Sequence, residues 1–235
     1  MKIIRESLLE GAKRAQGTAI IIDVFRAFTV TPLFFHFGAR EVILVETPEE
    51  AFSFRSDNRD IILSGEVNEQ LIPGFDIGNS PSEIINKPHG FFEAKTVVQR
   101  TTAGVRGVLS AVDHADTVIL GSYVMAEAIS KYIRTQVQQP DVVYIVAMGS
   151  RGITKSPEDE GCADYVEHLL SGQTYNHIEA INTIILDKTA QKFLTGDKPY
   201  LPKEDPVFCL QRDLFNFVLL AQKSDGIVRV NRVEF

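Results

Sequence analysis

Charged and hydroxyl side chains recur in this chain just beyond short aliphatic runs. Asp23 and Arg26 follow T-A-I-I-I (18–22), Glu66 follows I-I-L-S-G (61–65), and Ser150 and Arg151 follow V-V-Y-I-V-A-M-G (142–149). The densest such stretch is 96–107, T-V-V-Q-R-T-T-A-G-V-R-G, where Thr101, Thr102, Ala103 and Gly104 lie between Arg100 and Arg106. A strand that turns into a helix leaves backbone N–H groups unpaired. Here they would sit beside hydroxyls and guanidinium groups, the parts of an oxyanion or phosphate cradle. The same residues also suit an ordinary strand-to-helix turn, with threonine as cap and glycine allowing close packing. Asp23 and Glu66 could share a hard cation such as Mg2+, which takes one or two carboxylates and fills its shell with water and phosphate oxygens. Asp23 is equally suited to cap a helix and face solvent. Arg26, Arg106 and Arg151 together suit a polyanion, because the planar guanidinium grips carboxylate, phosphate or sulfonate through two N–H groups. Three further acids, Glu158, Asp159 and Glu160, follow Ser156-Pro157, the pattern of a helix start with an acid at the capping-box position.

A scaffold must bring these residues together. The run 18–24 is nearly all aliphatic, as in a strand buried on both faces. An apolar block over 28–37 follows, with Pro32 placed where a helix could begin. Residues 41–45 read as a strand, and T-P-E-E-A (47–51) as a capped helix start. A short strand over 61–63 ends in S-G-E. Residues 64–90 hold P-G, G-N-S-P and K-P-H-G and read as irregular backbone with one helical turn at 81–85. Long loops of this kind are often functional. Strands at 96–98, 116–120 and 141–147 are each followed by helical patterns, over 105–112, through 133, and over 156–170. After Gly172 the pattern predicts a helix over 180–194, a proline-rich turn over 199–206, a helical stretch to 220 and a strand over 226–233. Strands alternating with helices predict an α/β fold, layered α/β/α, with a largely parallel or mixed sheet. We expect one domain over 1–235, with room for two lobes. Ligands of open α/β sheets bind at the carboxyl ends of strands. If these strands are parallel neighbours, the acids, arginines and glycine turns meet on one rim.

Composition narrows the partners. Of 235 residues, 44% are hydrophobic and 23% charged, the balance of a globular protein. The formal charge of −7 argues against nucleic acid and against an acidic membrane surface, while leaving room for a small anionic substrate in a local basic pocket. The two cysteines, Cys162 and Cys209, form no C-x-x-C, and the five histidines show no metal-ligand spacing. The chain lacks a G-x-x-x-x-G-K-[ST] loop, a strand-linked G-x-G-x-x-G and a G-x-S-x-G elbow. The N-terminus mixes charges into its apolar residues, unlike a signal peptide, and no apolar run reaches membrane-span length. The expected compartment is the cytoplasm, and a homo-oligomer is left open.

Six segments together resemble the 2-phosphosulfolactate phosphatase family: I-I-D-V-F-R-A-F-T (21–29), S-G-E (64–66), P-G-F-D-I-G-N-S-P-S-E (73–83), R-T-T-A-G-V-R-G (100–107), V-I-L-G-S (118–122) and E-D-E-G-C-A (158–163). They occur in the family's order, and the G-F-D-x-G-N-S-P element is the most distinctive. The last third of the chain resembles the family only loosely. The resemblance implies a layered α/β fold, a Mg2+ requirement and hydrolysis of a phosphate monoester, 2-phosphosulfolactate or a related phosphoacid. It points to Asp23, Arg26, Glu66 and Arg106 as catalytic, to Asp76, Asn79, Thr101, Thr102, Ala103 and Gly104 as substrate-binding, and to Asp23, Glu66, Glu158 and Asp159 as metal ligands; Ser150 and Arg151 join the substrate-binding set by their own place after a strand. Family members commonly carry asparagine where this chain has Ala103, and often another at Met125, both expected on the rim. The alternative is a non-catalytic binder of a small polyanion on the same fold.

Overall fold

The computed structural model describes residues 1–55, 60–135 and 139–235. In chain order its elements are β1 (Lys2–Ser7), α1 (Leu8–Arg14), β2 (Thr18–Ile22), α2 (Ala27–His36), β3 (Glu41–Leu44), α3 (Pro48–Arg55), β4 (Ile61–Val67), β5 (Gln70–Leu71), α4 (Pro81–Ile85), β6 (Thr96–Arg100) and α5 (Gly104–Ala111). There follow β7 (Thr117–Gly121), a 3-10 turn (Tyr123–Met125), α6 (Ala126–Thr135), β8 (Val142–Ala147), α7 (Pro157–Ser171), α8 (His177–Leu186), α9 (Lys188–Leu194), α10 (Asp205–Cys209), β9 (Val218–Ser224) and β10 (Ile227–Val233).

A ten-stranded mixed sheet runs in the order β1-β8-β2-β7-β9-β10-β3-β6-β4-β5, with helices layered against it. The strands form two parallel sets. One is β1, β8, β2 and β7; the other is β3, β6 and β4. The antiparallel hairpin β9–β10 joins them, pairing with β7 on one side and β3 on the other. Strand β2 is buried at every position, as a central strand covered on both faces must be. The core continues from its isoleucines into the phenylalanines of α2 and the valines of α5.

Three successive antiparallel pairings separate β7 from β3, so the two parallel sets run in opposite senses along the sheet. Strands β2 and β6 are five steps apart, which in a flat sheet is roughly 24 Å. Yet Asp23, just past β2, accepts a hydrogen bond from Gly104 N–H, just past β6, at 2.7 Å. Only a strongly twisted, curled sheet can bring those two carboxyl ends together. The rim expected from parallel neighbours is therefore built differently: two opposed strand sets face each other across a cleft.

Several local expectations shift. Helix α2 begins at Ala27, and Pro32 lies inside it. Proline there removes the N–H that would pair with the Phe28 carbonyl. Ser122 Oγ–H donates to that carbonyl instead, at 2.7 Å, which lets a buried apolar helix carry an internal proline. Residues 64–66 belong to β4, where Glu66 pairs with Leu71 in a hairpin with β5. The helix expected over 180–194 breaks at Asp187, extended and capping α9 through Thr189 N–H at 2.8 Å. The helical stretch expected to 220 ends at Cys209, and V-L-L-A (218–221) opens β9, an apolar run that could serve either structure until its pairing partners are known. Strand β1, unread in the charged N-terminus, pairs with β8 at the sheet edge. Among the described residues no helix is long and apolar enough to cross a membrane.

Candidate active site

The cleft between the two strand sets is lined by Asp23, Phe25, Arg26, Glu66, Asn68, Glu69, Asn79, Thr101, Thr102, Ala103, Gly149, Ser150, Arg151, Glu158, Asp159, Thr189, Lys192 and Phe193. Strand-end backbone amides hold its acids in place. Asp23 Oδ2 accepts from Gly104 N–H at 2.7 Å, and Oδ1 from Ala27 N–H at 3.3 Å. Its carboxylate thus sits between the first residues of α5 and α2, where helix dipoles favour negative charge. Asp159 accepts from Val24 N–H and Gly149 N–H, both at 2.7 Å, tying α7 to the ends of β2 and β8. Glu66 accepts from Thr102 N–H at 3.0 Å, Thr102 Oγ–H at 2.7 Å and Glu69 N–H at 2.7 Å. Glu158 accepts from Thr189 Oγ–H at 3.0 Å.

This changes the reading of the threonine-glycine stretch. The N–H groups of Thr102 and Gly104 are taken by Glu66 and Asp23, and that of Val105 by Thr101 Oγ at 3.2 Å. The Gly149 amide likewise serves Asp159. The cradle binds the protein's own carboxylates, so a substrate phosphate must be met chiefly by side chains. The acidic start of α7 departs from simple capping too. Ser156 occupies the cap position without making a cap hydrogen bond, and Asp159 turns to the cleft instead of back to Ser156. Glu158 and Asp159 are buried, whereas Glu160 faces outward to Arg5, Ser7 and Lys155.

Burial and like charge dominate the electrostatics. Burial pushes the Asp23 carboxyl up to about 7, against the pull of the Gly104 and Ala27 amides and helped by Glu66 and Glu158. Asp159 is pushed well above the usual range by burial and then by the charges of Asp23 and Glu158. Glu158 is raised by burial as well. Such a crowd of buried carboxylates disfavours its own ionised form, and a hard cation bound among them would favour it. The donors are all oxygen. Among the described residues no group of three or more acidic, histidine or cysteine side chains is arranged to hold a metal ion, so any cation would have at most two protein ligands. That combination fits a dication held by one or two carboxylates with its remaining positions open to water and phosphate.

Arg26 is 5% exposed and pairs with the fully buried Asp205 at 2.7 Å, with Phe193 stacked beneath its guanidinium. Asp205 also accepts from Ser80 Oγ–H at 2.8 Å, Ser82 Oγ–H at 2.7 Å and Ser82 N–H at 3.2 Å, so one carboxylate fixes both Arg26 and the G-N-S-P segment. Asn79 beside it is buried on the cleft wall, its Oδ1 without a hydrogen-bond partner. Arg151, in the left-handed region at φ 58, donates to Asn68 Oδ1 at 3.1 Å.

The cleft thus collects Asp23, Arg26, Glu66, Asn79, Thr101, Thr102, Ala103, Ser150, Arg151, Glu158 and Asp159, with Gly104 just behind Asp23. Two expected site residues lie elsewhere. Arg106 projects from α5 toward Glu46, 3.7 Å away, because its helical turn points it away from the cleft. Asp76 pairs with Arg55 and accepts from Leu63 N–H at 2.8 Å, pinning the long loop to β4. Met125 is fully buried and lies off the cleft wall, whereas Ala103 is on it. Sequence reasoning missed Asn68, Glu69, Thr189, Lys192, Phe193 and Asp205. Most come from the last third, which carries no distinctive motif; the only signal was the P-K-E-D-P turn that holds Asp205.

Carboxylates and an arginine gathered at the carboxyl ends of strands in a layered α/β fold mark the place where such sheets bind ligands. The family model for 2-phosphosulpholactate phosphatase matches residues 3–224. A Bacillus subtilis protein named "Probable 2-phosphosulfolactate phosphatase" is 31% identical, with 91% of each chain covered. Proteins of the same name from Caldanaerobacter subterraneus and Thermoplasma volcanium are 30% and 29% identical, covering 92% and 90% of this chain and 92% and 93% of their own. The chain belongs to the 2-phosphosulfolactate phosphatase family and is a phosphoric monoester hydrolase.

Proposed function

We propose that this enzyme acts in the cytoplasm as a Mg2+-dependent phosphatase of 2-phosphosulfolactate or a closely related small phosphoacid, releasing sulfolactate and phosphate. The observation that carries the reading is the convergence of Asp23, Glu66, Glu158 and Asp159 on one cleft with Arg26. One or two of the acids Asp23, Glu66, Glu158 and Asp159 would hold the cation, which would supply charge neutralisation at the phosphoryl oxygens and lower the pKa of a bound water. Arg26, held rigidly by Asp205 and Phe193, would offer guanidinium N–H groups to the phosphoryl group. Water adds to phosphorus as the ester P–O bond breaks, and the departing oxygen leaves as the hydroxyl of the product. With the cation on the other acids, the Asp23 carboxylate is the base placed to take the water's proton, which then passes to the departing oxygen. Its Oδ1, with only the long bond from Ala27 N–H, is the freer oxygen for it.

The test is phosphate release from a panel of phosphoacids, with Mg2+ and with EDTA. Release from 2-phosphosulfolactate should require Mg2+, and Asp23→Asn should lower turnover by a factor of about 100 or more. Binding without release in the intact protein would favour a non-catalytic polyanion binder. Near wild-type turnover in Asp23→Asn would remove that residue from the mechanism.

A further inference from the structure

The cleft's mouth carries a second basic region that the phosphate chemistry does not use. Of the cations lining the cleft among the described residues, Arg26 is committed to Asp205, while Arg151 and Lys192 stand at the rim. Both are engaged by the tip of the β4–β5 hairpin. Arg151 donates to Asn68 Oδ1, and the Lys192 ammonium pairs with Glu69 Oε1. Lys198 approaches the other Glu69 oxygen at 3.9 Å. The backbone of the tip is unusual. Asn68 and Glu69 both lie in the left-handed region, at φ 53 and φ 71. A two-residue turn of this type normally takes asparagine and then glycine, so a glutamate in the second place works against local preference. It is held there by its own N–H to Glu66 Oε2 and by Arg26, whose Nη2 donates to the Glu69 carbonyl at 3.4 Å.

We propose that Lys192 and Arg151 form a second anion subsite, which takes the unphosphorylated acid group of the substrate. Glu69 is its built-in occupant, displaced when the substrate's sulfonate or carboxylate arrives. The inference rests on the phosphoacid reading above and adds where the second charge is read. A carboxylate on Lys192 has the chemistry of the incoming ligand. Both partners are reachable from solvent, Lys192 being 28% and Glu69 34% exposed, and an ion pair of that exposure is readily exchanged. The Glu69 amide is bonded to Glu66, so displacement at the rim is communicated to an acid of the reacting centre. Selectivity for a doubly acidic substrate follows. A phosphate monoester without a second acid group leaves Glu69 on Lys192, whereas a phosphoacid replaces it with a substrate charge.

The test compares 2-phosphosulfolactate with phenyl phosphate, which has no second acid, in the full-length protein and in Lys192→Gln, Lys192→Arg and Glu69→Gln. Lys192→Gln should lower the ratio of kcat/KM for 2-phosphosulfolactate to that for phenyl phosphate by about tenfold, chiefly through KM, and Lys192→Arg should restore most of it. Glu69→Gln should shift the ratio the other way, by lowering KM for the phosphoacid. Calorimetric binding of sulfolactate, which involves no turnover, should weaken by a similar factor in Lys192→Gln. An unchanged ratio together with unchanged sulfolactate binding overturns the subsite. If the intact protein released no phosphate from any substrate, the phosphatase reading would fail, and the calorimetric arm would still decide the subsite on its own.

Discussion

Asp205 sets the shape of the site without lining the cleft. It is fully buried, pairs with Arg26, and collects three further hydrogen bonds from Ser80 and Ser82. Removing one partner of a buried ion pair leaves the other charge stranded, which costs more than the pair itself contributes. Asp205→Ala should therefore destabilise the fold by about 3–5 kcal/mol, measured by urea unfolding, because Arg26 would remain buried without a counter-charge. A loss below about 1 kcal/mol, the scale of an exposed pair, would show that solvent reaches Arg26 and that the pair is not buried in solution. The residue sits in a proline-flanked turn whose local sequence promises only a change of direction. Its function is legible only once α10 is seen against α2 and α4.

At the scale of elements, the start of α5 is the tightest joint. Gly104 carries no side chain, and a Cβ there would stand 2.7 Å from Asp23 Oδ2, 2.9 Å from Asp23 Cβ and 3.0 Å from Phe28 Cζ. These are the carboxylate and core ring that the turn exists to hold, and neither can move without opening the joint between α2 and α5. Gly104→Ala should cut phosphatase turnover at least as deeply as it lowers stability, where about 1–3 kcal/mol is expected for overpacking, read by parallel rate and denaturation measurements. Gly107, one turn on, provides the comparison. A Cβ there would meet the flexible thioether end of Met148 and, at 3.0 Å, the Ile21 methyl, but no side chain of the cleft, so Gly107→Ala should spare the rate more than it spares stability. An equal loss of rate in both variants would mean that helix packing, and not the seat of Asp23, limits activity.

The whole molecule depends on its last strands. Hairpin β9–β10 lies in the middle of the sheet, between the two parallel sets that carry opposite walls of the cleft. Its residues Val218, Leu219, Val228 and Val230 are part of the main hydrophobic core. Neither wall can unfold without breaking ladders to this hairpin, so we predict one cooperative transition in denaturant, coincident by far-ultraviolet circular dichroism and by loss of activity. Two separated transitions would indicate lobes that fold independently. The C-terminal 18 residues should be indispensable for the same reason, even though they contribute no side chain to the cleft.

The sequence by itself determined the elements whose signals are local. The aliphatic run of β2 read as a doubly covered strand and is one, T-P-E-E-A signalled a capped helix start, with Glu50 N–H donating to Thr47 Oγ at 3.2 Å, and the helical turn expected at 81–85 forms as α4. It also supplied most of the cleft, because acids, threonines and glycine turns at strand ends announce themselves in chain order. What depended on distance was decided by the tertiary structure. Asp159 looked like a capping acid because its partners, Val24 and Gly149, belong to other elements. Arg106 looked like a site arginine because sequence proximity to Thr102 does not fix which side of α5 it leaves from. The threonine-glycine turn looked like a phosphate cradle because its amides are free in isolation; the pairing of β4 with β6 brings Glu66 to them, and the curl of the sheet brings Asp23. Hydrogen bonds between different elements, here from 10 to 135 positions apart, leave no periodic trace in a chain, so these roles become visible only when the elements are packed together.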